Sequence, residues 1–145
     1  MGFEKGSTIL IKQIAILLFS LSLLMGCNDN SIKRNEELEK VIHSAIIMVS
    51  DDSDSEIHIG GLVDLDWDKA FLITPYTSKE EIEKQVGVKL NDLSNISLRD
   101  DIYLLIFIND DEAVQYAEIN RVETSFSLGD QEYLTPENDV VYIER

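Results

Sequence analysis

Apolar residues recur at intervals of three and four between Asn35 and Val49, which is the spacing of one face of an α-helix. The recurring positions are Leu38, Val41, Ile42, Ala45, Ile46 and Val49. Asn35 is a favourable N-cap, and the acidic first turn suits the positive end of the helix dipole. Ile47 and Met48 widen the apolar face, so we expect the helix to pack against a broad surface such as a β-sheet.

A buried strand and a second, shorter helix are predicted next. Residues 69–73 are almost wholly apolar, which favours a strand that is covered on both faces. Ser78 and Glu81 have the spacing of a capping box, which predicts a helix through Val86, and Gly87 follows as a stop signal.

The second half of the chain carries most of the predicted sheet. Residues 102–108 and 113–119 flank a polar turn, which is the pattern of a β-hairpin. Weaker strand patterns lie at residues 57–59, 125–128 and 140–143. Together the elements predict an α+β fold, in which an N-terminal amphipathic helix and one short helix pack on a mainly antiparallel sheet of about four to five strands.

The first 26 residues have the layout of an export signal. Lys5 and Lys12 precede an uninterrupted apolar run over residues 14–25, and the small residue Gly26 precedes Cys27. The ending Leu-Leu-Met-Gly-Cys resembles the lipobox of bacterial lipoproteins. That resemblance implies cleavage before Cys27 and a lipid on its sulfur.

An uncleaved membrane-spanning helix is the competing interpretation of the same residues. A helix over residues 14–26 rises roughly 20 Å, whereas the hydrocarbon core of a bilayer is roughly 30 Å thick. The sequence therefore favours an extracytoplasmic lipoprotein that is anchored to the cell membrane through Cys27. Removal of residues 1–26 then leaves a polar tether at residues 27–34 and a single α+β domain at residues 35–145.

The chain is strongly acidic, with 28 Asp and Glu residues against 12 Lys and Arg residues and a formal charge of −16. Removal of residues 1–26 takes away Glu4, Lys5 and Lys12, so the charge becomes −17. No basic stripe is visible that would hold phosphates, and we expect no nucleic-acid partner. The charge favours a cationic protein or peptide as the partner.

The sequence predicts neither an enzyme nor a cofactor or metal site. Cys27 is the only cysteine, and the chain has no Gly-x-Ser-x-Gly, His-Glu-x-x-His or phosphate-binding glycine motif. The acidic run at residues 51–56 lacks the glycine and glutamate spacing of an EF-hand loop. Paired carboxylates are too abundant to identify a hydrolase.

The segment Trp67-Asp-Lys-Ala-Phe-Leu-Ile-Thr-Pro-Tyr-Thr-Ser78 is followed by Leu104-Leu-Ile-Phe-Ile-Asn-Asp and Val114-Gln-Tyr-Ala-Glu. These segments resemble a family of small uncharacterised lipoproteins from Gram-positive bacteria. The resemblance covers residues 56–144 and implies a strand, a Pro-Tyr-Thr turn, a short helix and a hairpin, with no catalytic assignment. The chain departs from the family pattern at Ala70 and Thr74.

Six residues are candidates for a binding site, namely Trp67, Asp68, Lys69, Tyr76, Arg99 and Arg121. In a pocket near Trp67 and Tyr76, Asp68 would supply a carboxylate and an arginine would hold an anion. The structural alternative is that Trp67 and Tyr76 cover one end of the core.

The favoured function is a non-enzymatic interaction or accessory domain held at the membrane. A small-molecule sensor or a carboxylate-dependent hydrolase with a pocket near Trp67 and Tyr76 is the alternative, and a scaffold for other envelope components is a third.

Overall fold

The computed structural model describes residues 9–13, 31–49, 55–121 and 124–144. Residues 9–13 are helical. Within the described ranges, no helix combines the length and the apolar character needed to cross a bilayer. The predicted lipidation site, Cys27, lies outside these ranges.

The described residues form an α+β fold, as the sequence predicts. The elements are β1 (Lys33–Arg34), α1 (Glu36–Met48), β2 (Ser55–His58), β3 (Lys69–Ile73), α2 (Lys79–Val86), a 3₁₀ turn (Ile96–Leu98), β4 (Ile102–Asn109), β5 (Glu112–Asn120), β6 (Ser125–Ser127) and β7 (Val140–Glu144).

The larger sheet has four strands in the order β1-β5-β4-β3, in which β1 runs parallel to β5 and the other pairs are antiparallel. Residues 102–108 of β4 are all buried, because both faces of this central strand are covered. Asp110 and Asp111 both have a positive φ, 49° and 60°, which closes the β4–β5 hairpin in a tight turn. The buried strand predicted at residues 69–73 and the hairpin predicted at residues 102–108 and 113–119 are confirmed.

Strands β2, β7 and β6 form a second, antiparallel sheet of three strands. The strands thus form two sheets rather than the single sheet expected from the sequence. The reason lies in their pattern: β2 and β7 alternate buried and exposed residues, so their inner side chains cover a face of the larger sheet.

Alternate residues of β4 enter two separate cores. One core lies under α1 and the smaller sheet and includes Phe107, Ile42 and Phe126. The other core lies under α2 and includes Leu104 and Ile82. The larger sheet is therefore the middle layer of the molecule.

Both predicted helix starts are confirmed by their caps. The Asn35 side chain accepts a hydrogen bond from Leu38 N at 2.9 Å. Ser78 and Glu81 form the full capping box, and Gly87 ends α2 with a φ of 83°.

Two expectations from the sequence are wrong. Ile47 and Met48 do not widen the buried face of α1, because they are 59% and 83% exposed at the end of the helix.

The tether does not extend to residue 34: Ile32 is 3% exposed, and β1 pairs with β5. Ile32 is the one large apolar residue in that polar segment, and its burial in the core under α2 brings residues 31–34 into the fold.

Candidate functional site

The six candidate residues separate into two groups at opposite ends of β3. Trp67, Asp68 and Lys69 lie at its start, beside the β4–β5 hairpin. Tyr76 follows its end, and a five-residue strand spans about 16 Å. The predicted pocket near Trp67 and Tyr76 is therefore not formed.

The three residues at the start of β3 have structural contacts. Trp67 is 8% exposed, and its ring packs edge-on against Phe107 with centroids 5.7 Å apart. Asp68 Oδ2 accepts a hydrogen bond from Asp110 N at 2.7 Å. Lys69 Nζ lies 5.4 Å from the centre of the Tyr133 ring. Trp67 thus rests on a filled core, as in the structural alternative.

Tyr76 lies close to Arg99 but does not cover the core. Its side chain is 61% exposed, and its N–H is directed at the carbonyl oxygens of Ile96 and Arg99, at 3.1 and 3.2 Å. Arg121 N donates to Asp101 O at 2.8 Å, so both arginines flank residues 100–101. The structure brings Tyr76, Arg99 and Arg121 to one end of the larger sheet.

Of the two guanidinium groups there, that of Arg99 is paired with a carboxylate, whereas that of Arg121 lies 3.5 Å from the carbonyl oxygen of Asp100. Arg99 donates to both oxygens of Asp101 at 2.8 and 2.6 Å, which raises the pKa of Arg99 and lowers the pKa of Asp101. Arg34 donates to both oxygens of Glu39 at 2.8 and 3.0 Å, and this raises its own pKa. Glu118 lies between the two arginines, at 3.0 Å from Arg34 and 3.6 Å from Arg99. Because the guanidinium groups of Arg34 and Arg99 are both engaged in these ion pairs, neither is free to bind a ligand anion through two hydrogen bonds.

A cleft of about 380 Å³ between α1 and β5 is lined by the same ion pairs, including Arg34, Glu39 and Glu118. Arg34 is paired there with both Glu39 and Glu118, and the lining also includes Glu36, Lys40 and His43. We therefore assign it a structural role, in which it fastens β1 and α1 to the larger sheet.

His58 and Asp139 form a second polar pair at the edge of the smaller sheet. His58 Nδ1 lies 3.0 Å from Asp139 Oδ1, and Gly60 N donates to Asp139 Oδ2 at 2.7 Å. The contact with Asp139 raises the pKa of His58. Burial raises the pKa of Asp139, but the hydrogen bonds from His58 and Gly60 outweigh it, so the net shift is downward.

A second cleft, of about 650 Å³, lies where the edges of the two sheets meet, and we name it the inter-sheet cleft. Its floor is apolar and comes from two strand segments: Phe71 and Leu72 of β3, and Phe126 and Leu128 at β6. Such a floor with polar groups around it is the usual form of a binding site.

The rim of the inter-sheet cleft is polar and charged. Helix α2 contributes Glu81, Lys84 and Gln85, and the segment before Leu134 contributes Gln131 and Glu132. The N–H of Ser78 donates to Glu81 and lowers its pKa, so this carboxylate keeps its charge into acidic conditions. The negative groups outnumber the positive one on this rim.

Sequence reasoning missed this cleft. None of the six candidate residues lines it, and its floor joins segments that are far apart in the chain. The only sequence signal was the apolar run at residues 69–73, which marked β3 as buried without showing that its edge is open.

Within the described ranges, no three carboxylate, imidazole or thiol groups are grouped so that they could hold a metal ion. The acidic residues 51–54 lie outside those ranges.

Comparison of the chain with family models, with curated proteins and with solved structures finds no match. The resemblance to small Gram-positive lipoproteins therefore stays a prediction from the sequence.

Proposed function

We propose that this chain is a lipid-anchored, non-enzymatic binding domain that holds a segment of a cationic protein or peptide in the inter-sheet cleft, outside the cell membrane. The observation that carries the proposal is the cleft itself, with an apolar floor and a charged rim.

The anchor is supported by the sequence and by the point where the fold begins. The apolar run and the Leu-Met-Gly-Cys ending support lipid on Cys27. Ser31 already pairs with Asn91, and three residues lie between Cys27 and Ser31. The four Cα-to-Cα steps from Cys27 to Ser31 reach at most about 14 Å, which keeps the domain beside the bilayer.

A polypeptide segment suits the cleft better than a small polar metabolite. The floor consists of the outer edges of four core residues, Phe71, Leu72, Phe126 and Leu128, each 5–8% exposed, and it has no cluster of converging charged groups. A chain with apolar side chains can bury that surface and keep its polar groups at the rim.

A positively charged partner suits the electrostatics. The chain has a formal charge of −16, and the rim of the inter-sheet cleft carries two carboxylates, Glu81 and Glu132, against one ammonium group, Lys84. Complementary charge accelerates encounter and favours cationic partners over anionic ones. We expect binding to weaken as the salt concentration rises, and binding that is independent of salt would contradict this part of the proposal.

Chemical crosslinking on intact cells tests the cleft. Gln85 is exposed on the rim, so Gln85→Lys adds a positive charge there without touching the core, and Gln85→Glu is a matched control. Ser44→Lys places the same charge on the exposed side of α1. We expect one dominant crosslinked partner, lost with Gln85→Lys and kept with Gln85→Glu and Ser44→Lys. Equal recovery from all three variants would refute the cleft as the binding site.

The anchor is tested separately. Mass spectrometry of the native protein should find an N-terminal cysteine that carries fatty acyl chains, and Cys27→Ala should release the domain from the membrane fraction. An intact, unmodified N-terminus on protein from the cytosol would refute the anchor but not the cleft.

A further inference from the structure

The free edge of β3 is paired over only part of its length. Ala70 N donates to Leu134 O at 3.0 Å, and Leu134 N donates to Ala70 O at 2.8 Å. This exchange makes Leu134 the antiparallel partner of Ala70 on the side away from β4. No further residue pairs with this edge within the described part of the chain.

Leu72 lies two residues beyond Ala70 in the same strand. Because backbone groups alternate in direction along a strand, the N–H and C=O of Leu72 point to the same edge as those of Ala70. Antiparallel register from Leu134 would bring Glu132 opposite Leu72, but the pairing stops at Leu134. The N–H and C=O of Leu72 are therefore directed at the inter-sheet cleft, which this residue lines.

The two walls of the cleft differ in chemistry. Phe126 and Leu128, on the side of the smaller sheet, are apolar. Glu81, Lys84 and Gln85, on the side of α2, are polar or charged. An extended segment between these walls would direct successive side chains to alternate sides.

We propose that the partner binds by strand addition: an extended segment with alternating apolar and basic residues pairs with the backbone of β3 at Leu72. This inference rests on the proposed function and specifies how the partner is held. The apolar side chains contact Phe126 and Leu128, and the basic side chains face Glu81. Backbone hydrogen bonds supply affinity, and the alternation supplies selectivity.

Capped peptides test the inference on full-length protein in mild non-ionic detergent. The probe is acetyl-Lys-Val-Lys-Val-Lys-Val-amide. Two variants carry N-methyl groups on all valines or on all lysines, and each blocks one edge of the extended peptide. A peptide with Glu in place of Lys controls for charge.

We expect the unmodified peptide to shift the amide resonance of Leu72 and to slow its hydrogen exchange. One N-methylated peptide should bind about tenfold more weakly, and the other should bind as the parent does, because only one edge faces β3. The N-methylated peptide that binds more weakly also shows whether the added strand runs parallel or antiparallel to β3. The Glu peptide should bind about tenfold more weakly than the parent at low salt. Gln85→Lys should weaken the parent peptide and Gln85→Glu should not.

Equal effects of the two N-methylated peptides, or shifts of the cleft side chains without protection of the Leu72 amide, would overturn strand addition. Absence of binding at about 1 mM peptide would also overturn it. None of these results bears on whether the crosslinked partner is lost with Gln85→Lys, so failure of strand addition is distinguishable from failure of the proposed function.

Discussion

Arg34 Nη2 lies 3.0 Å from Glu118 Oε2, which joins β1 to the neighbouring strand by a side-chain contact as well as by backbone pairing. The Glu118 side chain is 9% exposed, whereas that of Arg34 is 41% exposed. This nearly buried carboxylate is compensated by two partly exposed arginines, Arg34 and Arg99, and by a hydrogen bond from the Ser94 hydroxyl.

The first prediction concerns this contact. Arg34→Ala should lower the free energy of unfolding by about 1–2 kcal/mol, because it removes two hydrogen bonds to Glu39 and an ion pair with Glu118 from a partly screened side chain. Lys33→Ala, at the exposed neighbour in the same strand, should change it by less than about 0.5 kcal/mol. Urea denaturation measures both. Equal effects of the two substitutions would show that the ion pair does not stabilise β1.

The second prediction concerns Trp67. Because Trp67 is 8% exposed and packs against Phe107, Trp67→Ala should lower the free energy of unfolding by about 3–5 kcal/mol. Trp67→Phe keeps an aromatic ring and should cost less. Tyr76→Ala removes a ring that is 61% exposed and should cost less than about 0.5 kcal/mol. A large effect of Tyr76→Ala with a small effect of Trp67→Ala would contradict the placement of the two rings.

The third prediction concerns the end of α2. Gly87 has a φ of 83° and no atom within 4 Å of an added Cβ, so Gly87→Ala should destabilise the fold by about 1 kcal/mol through backbone strain alone. Gly87→Asn should recover part of that loss. Gly61 has no positive φ, and the nearest atom to its added Cβ is 3.9 Å away, so Gly61→Ala is a matched control with an expected effect within about 0.5 kcal/mol. Thermal denaturation of the three variants checks the ranking.

The fourth prediction concerns His58. Asp139→Asn removes the carboxylate that raises the pKa of His58, so that pKa should fall toward its ordinary value of about 6.5. Titration followed by NMR at the imidazole carbons measures the shift. Glu56 lies 3.7 Å from His58 Nε2, and Glu56→Gln should have a smaller effect in the same direction. An unchanged pKa in Asp139→Asn would show that the pair does not form in solution.

The same pair predicts a pH dependence of stability. His58 has a raised pKa in the fold, so its charge stabilises the fold fully below about pH 6.5 and ceases to do so as the pH rises through the raised value. Asp139 has a lowered pKa, so its contribution is present above about pH 4 and is lost as the pH falls through the lowered value. The stability difference between the native protein and Asp139→Asn should therefore be largest between these limits and smaller at pH 8. Denaturation series at several pH values measure it.

Elements with local determinants could be predicted from the sequence. Ser78, Glu81 and Gly87 set the two ends of α2 through contacts within a few residues, and the hairpin turn at Asp110 and Asp111 lies between two apolar runs. These determinants act between residues that are only a few positions apart, so they can be recognised in the sequence.

The inter-sheet cleft could not be predicted, because its causes are contacts between distant segments. The edge of β3 is open only because its pairing stops after Ala70 and Leu134, and the floor is completed by Phe126 of the other sheet. The same holds for Ile32, which is buried in the core under α2 although its neighbours in the sequence are polar. A single sequence does not reveal such pairings.

Strand β1 is also the element through which a mechanical force on the proposed lipid anchor would reach the fold. With lipid on Cys27, drag on the domain would reach the fold through β1, which pairs with β5. The hydrogen bond from Asn35 N to Tyr116 O, at 2.8 Å, and the contacts of Arg34 with Glu39 and Glu118 would then share that force. If the proposed anchor is present, the junction of β1 with β5 would therefore resist detachment through several contacts at once.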